Sequence, residues 1–98
     1  KRGYLGVSTQ RVRLPDDLRE QLGQKSGLLI VSAEPDSPAS AAGLTLGDTI
    51  VTLDGEKVRD HDDLLALLTG DRVGTAVPLG ILRGGQVQQM QITIGERE

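Results

Sequence analysis

Residues 37–55 constrain the fold more tightly than any other stretch of the chain. Ser37 is a capping residue type, Pro38 suits the first helical position, and Gly43 supplies the left-handed residue that ends a helix. Together they predict a helix of one or two turns. Gly47-Asp48 then reads as a turn and residues 49–53 as a β-branched, strand-like run. Asp54-Gly55 marks a tight hairpin-type turn. A short helix that turns sharply into a core strand calls for a mixed architecture, and the flanking sequence extends it.

Upstream, Leu14-Pro15-Asp16-Asp17 reads as a helix start with Leu14 at or beside the cap. Pro15 falls in the first turn, and the two acids favour the helix dipole. Leu18 and Leu22 share a face, and Gly23 is a plausible stop. Residues 28–33 form an apolar run after Gly27, as in a strand buried on both faces. Residues 4–12 are mixed, with Leu5, Val7 and Val12 apolar, and read as a loop entering a strand. Downstream, Asp60 or His61 opens a helix expected to run through Thr69 and end at Gly70, with Leu64, Leu65, Leu67 and Leu68 apolar. Two last strands, 76–83 and 86–94, are joined by Gly84-Gly85. Val87, Met90, Ile92 and Ile94 alternate imperfectly, which leaves the register there open. The expected fold class is α+β, with five to six short strands and two to three helices.

Composition narrows the function. The chain has 98 residues, which suits one domain, 1–98, with one core. Lys1-Arg2-Gly3 reads as the remnant of a linker from an upstream domain. Tyr4 is the only aromatic residue, so the core must be aliphatic. With no Cys there is no disulfide framework, Cys-based metal site or thiol nucleophile. A formal net charge of −3 and no aromatic platform for bases argue against nucleic acid as a partner. No apolar run approaches the ~20 residues of a membrane span, so no membrane insertion by this segment is expected. One His and no Ser in a nucleophile motif leave no trypsin-like triad, so the segment is not expected to be an enzyme. Asp60-His61-Asp62-Asp63 has metal-ligand types, but consecutive residues point in different directions around a helix. Acids at a helix start also have a dipole reason to be there. Neither metal nor cofactor is expected.

The run Ala42-Gly43-Leu44-Thr45-Leu46-Gly47-Asp48-Thr49-Ile50-Val51-Thr52-Leu53-Asp54-Gly55 resembles the most recognisable segment of PDZ domains. The likeness extends to Ser37-Pro38-Ala39 and to the helix at 61–69. Within that family the chain looks most like the PDZ domains of bacterial HtrA/Deg-type serine proteases. Arg2-Gly3-Tyr4-Leu5-Gly6-Val7 resembles the junction that follows their protease domain. The resemblance implies a small, partly open β-barrel or sandwich with the permuted strand order of bacterial PDZ domains.

It also implies a site. Tyr4-Leu5-Gly6-Val7 is the counterpart of the family's carboxylate-binding loop, where backbone N–H groups hold a peptide's C-terminal carboxylate. An ordinary strand start is the plain alternative. The strand after it, with Ser8 and Thr9, would offer its edge to an extended peptide, and Leu5 and Val7 would help line the pocket for its last side chain. Carried over by position, Leu64 packs inward while Leu65 and Leu68 face the groove, unless they are simply core. His61 falls where many PDZ domains bond a Ser or Thr hydroxyl; a solvated residue at a helix start is the alternative. The implied partners are C-terminal or unfolded polypeptide segments with apolar ends. The implied setting is the regulatory domain of an extracytoplasmic bacterial protease, with the segment a monomer and its parent a homo-oligomer, commonly a trimer. A PDZ domain of a non-proteolytic scaffold or secretion protein is the alternative.

Overall fold

The computed structural model describes residues 2–97. The chain runs β1 (Arg2–Tyr4), β2 (Val7–Arg13), α1 (Asp16–Leu22), β3 (Ser26–Ala33), α2 (Pro38–Ala42) and β4 (Thr49–Leu53). It continues through β5 (Glu56–Lys57), α3 (His61–Leu67), a 3₁₀ turn (Gly70–Arg72), β6 (Ala76–Arg83), β7 (Gln86–Thr93) and β8 (Gly95–Arg97). Six strands make one sheet, ordered β2-β3-β4-β6-β7 with β5 beside β4, so β2 lies at an edge. Against the expected five to six strands, the described residues hold eight, six of them in this sheet. The remaining two, β1 and β8, pair as a separate antiparallel ribbon. Lys1, the first residue of the expected linker remnant, lies outside the described residues, and Arg2 and Gly3 belong to β1.

Local chemistry accounts for most boundaries. The Ser37 hydroxyl accepts from the Ser40 N–H at 3.2 Å, Pro38 opens α2, and Gly43 closes it at φ +90°. Three expectations shift by a few residues. Pro15 stands as the cap of α1 rather than in its first turn, and Leu14, beside that cap as expected, pairs its N–H with the Lys25 carbonyl at 2.9 Å and buries its side chain. Tyr4 lies in strand β1 rather than in a loop. Helix α3 stops at Leu67 rather than Thr69, because the chain there turns to meet β1. The Leu68 carbonyl accepts from the Gly3 N–H, and Arg2 bridges to Thr69.

The core has two parts. Leu5, Leu28, Ile30, Ile50, Leu53, Leu64, Leu68, Leu79, Ile81, Ile92 and Ile94 fill the larger, beneath α2 and α3. Leu14, Leu18, Val51 and Leu82 form a smaller one under α1. This division explains the imperfect alternation of the last strand. Met90 and Ile92 turn to the larger cluster, whereas Val87 packs on the smaller one from the opposite face. Their partners Leu79, Val77 and Leu82 fix the register.

Asp48 ties the signature segment to β6. Its carboxylate, 2% exposed, accepts from Arg83 Nε at 2.9 Å and Nη2 at 2.7 Å and from the Thr45 N–H at 2.9 Å. The Arg83 hydrogen bonds, aided by Thr45, hold its pKa below the usual carboxylate range against the opposing effect of burial. Arg83 is itself only partly buried. Arg83→Ala is expected to lower the urea midpoint at pH 7, since it strips a buried carboxylate of its main donor, with exposure of the guanidinium moderating the loss. Because the folded-state pKa is depressed, this contribution is present above the unfolded value and fades as pH falls through the folded one. Stability should therefore fall on acidification below about pH 4. The variant should show a smaller fall over that window; equal falls would remove the pair from this role.

Candidate functional site

Between β2 and α3 lies a groove that begins at the two-residue loop Leu5-Gly6. Both carbonyls of this loop are engaged: Leu5 accepts from the Ala39 N–H at 2.9 Å and Gly6 from the Glu34 N–H at 2.8 Å. Among the hydrogen bonds of the described residues, the N–H groups of Leu5 and Gly6 donate to no protein acceptor. The backbone is thus fixed through its acceptors while donors remain open, as an anion-binding loop requires. Gly6 adopts φ +83°, and a Cβ there would sit 2.4 Å from Ser37 Cβ and 2.9 Å from its Oγ. Ser37 is held in turn by its hydroxyl, which donates to the Glu34 carbonyl at 2.6 Å.

The groove encloses about 390 Å³ and takes in Tyr4, Leu5, Gly6, Val7, Ser8, His61, Leu65 and Leu68. Thr9 does not line it but a second hollow beside β2, about 350 Å³, which also touches His61. All the residues singled out from sequence therefore line one or other of two hollows that share His61. Their burial differs: Leu5 and Leu68 are core residues whose surfaces form its floor, while Leu65 is 50% exposed on its rim. Leu64 is buried, as expected, and also borders the groove. Two larger hollows, about 580 Å³ beside α2 and about 570 Å³ beside α1, do not include the Leu5-Gly6 loop. Size alone does not select the site.

Sequence reasoning missed the charged end of the groove. Arg2, Glu34 and Arg97 all line it near the loop. The Tyr4 hydroxyl donates to the Glu34 carboxylate, and the Arg97 guanidinium lies over the Tyr4 ring, 4.5 Å from its centroid. The bond to Glu34 raises the phenol pKa above its ordinary value, since deprotonation would set two anions together. No local signal marks Glu34 or Arg97, because only folding brings them to Tyr4. At the other end, the acids opening α3 are partly committed. Asp60 caps the Asp63 N–H at 2.9 Å, and Asp63 accepts from Arg59 Nε at 2.8 Å. Arg59 holds the Asp63 pKa below its ordinary value.

Residues 3–94 match the family model described as PDZ domain. The chain belongs to the PDZ family. It is 35% identical over 96 residues to a probable periplasmic serine endoprotease, DegP-like, of Pseudomonas putida, and 34% identical to a protein of the same description from Rhizobium meliloti. These alignments cover 96% of this chain but only 20% and 19% of those relatives, so the chain spans about a fifth of their length. Among solved structures, the HtrA-type protease AlgW with decapeptide superposes with a TM-score of 0.79 at 30% identity, covering 99% of this chain and 30% of that one. The HtrA3 PDZ domain bound to a phage-derived ligand has a TM-score of 0.68 at 21% identity, over 94% of this chain and 84% of that one, and shows the fold alone. The likeness to PDZ domains of HtrA/Deg-type proteases thus holds in sequence and in fold. β8, which carries Arg97, lies beyond the residues that the family model matches.

Two glycines at similar φ separate conformational strain from crowding. Gly85 has φ +79° with nothing within 4 Å of a built Cβ, whereas Gly6 would strike Ser37. Gly85→Ala is expected to cost about 1–2 kcal/mol from backbone strain alone. Gly6→Ala should cost roughly 2–4 kcal/mol because overpacking adds to it. Urea midpoints at constant slope measure both, and equal costs would show that Ser37 yields freely.

Proposed function

We propose that this domain, spanning 1–98, captures polypeptide C-termini by strand addition along β2, with the terminal carboxylate received by the Leu5 and Gly6 N–H groups. The observation that carries this reading is the loop whose carbonyls are anchored while its N–H groups stay open. It stands at the head of an edge strand with a leucine-lined groove opposite. An added strand would satisfy the open backbone groups of β2, and the groove would hold an apolar last side chain over Leu5, Val7 and Leu68. His61, which borders both hollows, would meet the side chain two residues before the end, and its position there supports that reading. The likeness to DegP-like and HtrA-type proteins supports a role as the substrate-recognition or regulatory domain of an extracytoplasmic serine protease.

The affinity should be modest, on the order of 10 μM, because a flexible peptide loses entropy on ordering. Amidating the C-terminus removes the charge that the N–H groups receive and should weaken binding at least ~10-fold, read by calorimetry. Leu65→Asp, on the exposed rim, should weaken binding of a peptide with an apolar end while leaving the urea midpoint nearly unchanged. NMR shifts on titration should cluster on residues 4–12 and 61–69. Equal binding of the free acid and the amide would refute the loop assignment.

A further inference from the structure

The bulge between β2 and β3 sets which side chains of β2 a bound strand would meet. Ser8 lies opposite Ser32, but Thr9 lies opposite Ile30, so the extra residue is Val31 on β3. β2 itself therefore alternates without interruption, and Val7, Thr9, Arg11 and Arg13 share one face. Their partners on that face, Ile30, Leu28 and Ser26, are buried, and Thr9, Arg11 and Leu28 line the second hollow beside His61. An antiparallel strand ending at Leu5-Gly6 sets its last residue beside Val7. The residues two, four and six positions earlier then fall beside Thr9, Arg11 and Arg13. Directly opposed side chains on adjacent strands stand about 4.5–5.5 Å apart at Cβ, within reach of an ion pair.

Arg11 and Arg13 are exposed and, with Lys25 and Ser26, line a hollow of about 300 Å³ at that end of β2. The ion pairs among the described residues are Arg19–Asp16, Arg59–Asp63, Arg72–Asp54 and Arg83–Asp48, and none uses Arg11, Arg13 or Lys25. Arg11 makes one neutral contact, 3.3 Å from Nε to the Ser26 hydroxyl. Across that hollow stand Asp60 and Asp62, of which Asp60 is engaged as the cap of α3. A chain with an acidic overall balance thus sets Arg11 and Arg13, in no ion pair among the described residues, along the edge where an added strand would run, with Lys25 beside them and Asp16 and Glu20 near Arg13 and Lys25 on the α1 side.

We propose that the domain selects polypeptides with acidic residues four and six positions before the C-terminus, read by Arg11 and Arg13 with Lys25 beside them. This rests on the strand-addition reading above and adds a selectivity that the apolar pocket cannot supply. The test uses free-acid decapeptides that share an apolar ending and differ only at those two positions, which carry Glu, Ala or Lys. Their affinities for the chain are measured by fluorescence polarisation. In about 50 mM salt the Glu peptide should bind roughly 3- to 10-fold more tightly than the Lys peptide, with Ala between them. At about 0.5 M salt the spread should shrink to within ~2-fold. Because both arginines are exposed, Arg11→Glu with Arg13→Glu should fold normally and reverse the order. Lys binding as tightly as Glu overturns the proposal. If the peptides bind equally and amidation still weakens them, only the acidic selectivity is lost. If no free-acid peptide binds, the strand-addition reading fails and the selectivity falls with it.

Discussion

The groove depends on how the Leu5-Gly6 loop is held. Its two carbonyls are fixed by N–H groups from the β3–α2 connection and from α2, Glu34 and Ala39, and its one glycine packs against Ser37. Backbone acceptors are strong anchors, and using them leaves the donors without a protein partner among the described residues. The same contacts make the short helix α2 a support for the loop rather than a mere connection. Ser37 serves three neighbours at once: it caps α2, donates to the Glu34 carbonyl and occupies the space beside Gly6.

From that anchor the architecture follows in two directions. Toward the core, Leu5 and Leu68 join β1, β2 and α3 to the larger cluster, so the floor of the groove is part of the folding core. Rigidity at the floor is a condition for a site that receives a carboxylate through fixed backbone dipoles. Toward the rim, Leu65, His61 and the arginines of β2 are exposed. The floor of the groove is thus buried and its rim exposed. The ribbon of β1 and β8 adds a third element, which brings Arg97 over Tyr4 and makes the head of the groove charged.

Much of this was legible in the chain because it rests on local chemistry. Ser37, Pro38 and Gly43 bound α2, Asp54-Gly55 turns β4 into β5, and the aliphatic composition dictates a core without aromatic residues. The order of these signals, with Gly6 ahead of them, was enough to mark the family and the residues around the groove. The end of α3 is less legible, because the bridge from Thr69 to Arg2 joins residues far apart in sequence.

What only the tertiary structure decided are relations across the chain. Sequence gives the residue types of Asp48 and Arg83 but not that they meet, since 35 residues separate them. Glu34 and Arg97 join the groove through Tyr4, and no periodicity announces them. The bulge at Val31 belongs to the same class: pairing two strands reveals the extra residue, and with it the unbroken face of Arg11 and Arg13. Local propensity and turn chemistry act over a few residues and can be read in order along the chain. Electrostatic pairing and strand register depend on distances that exist only once the core has closed.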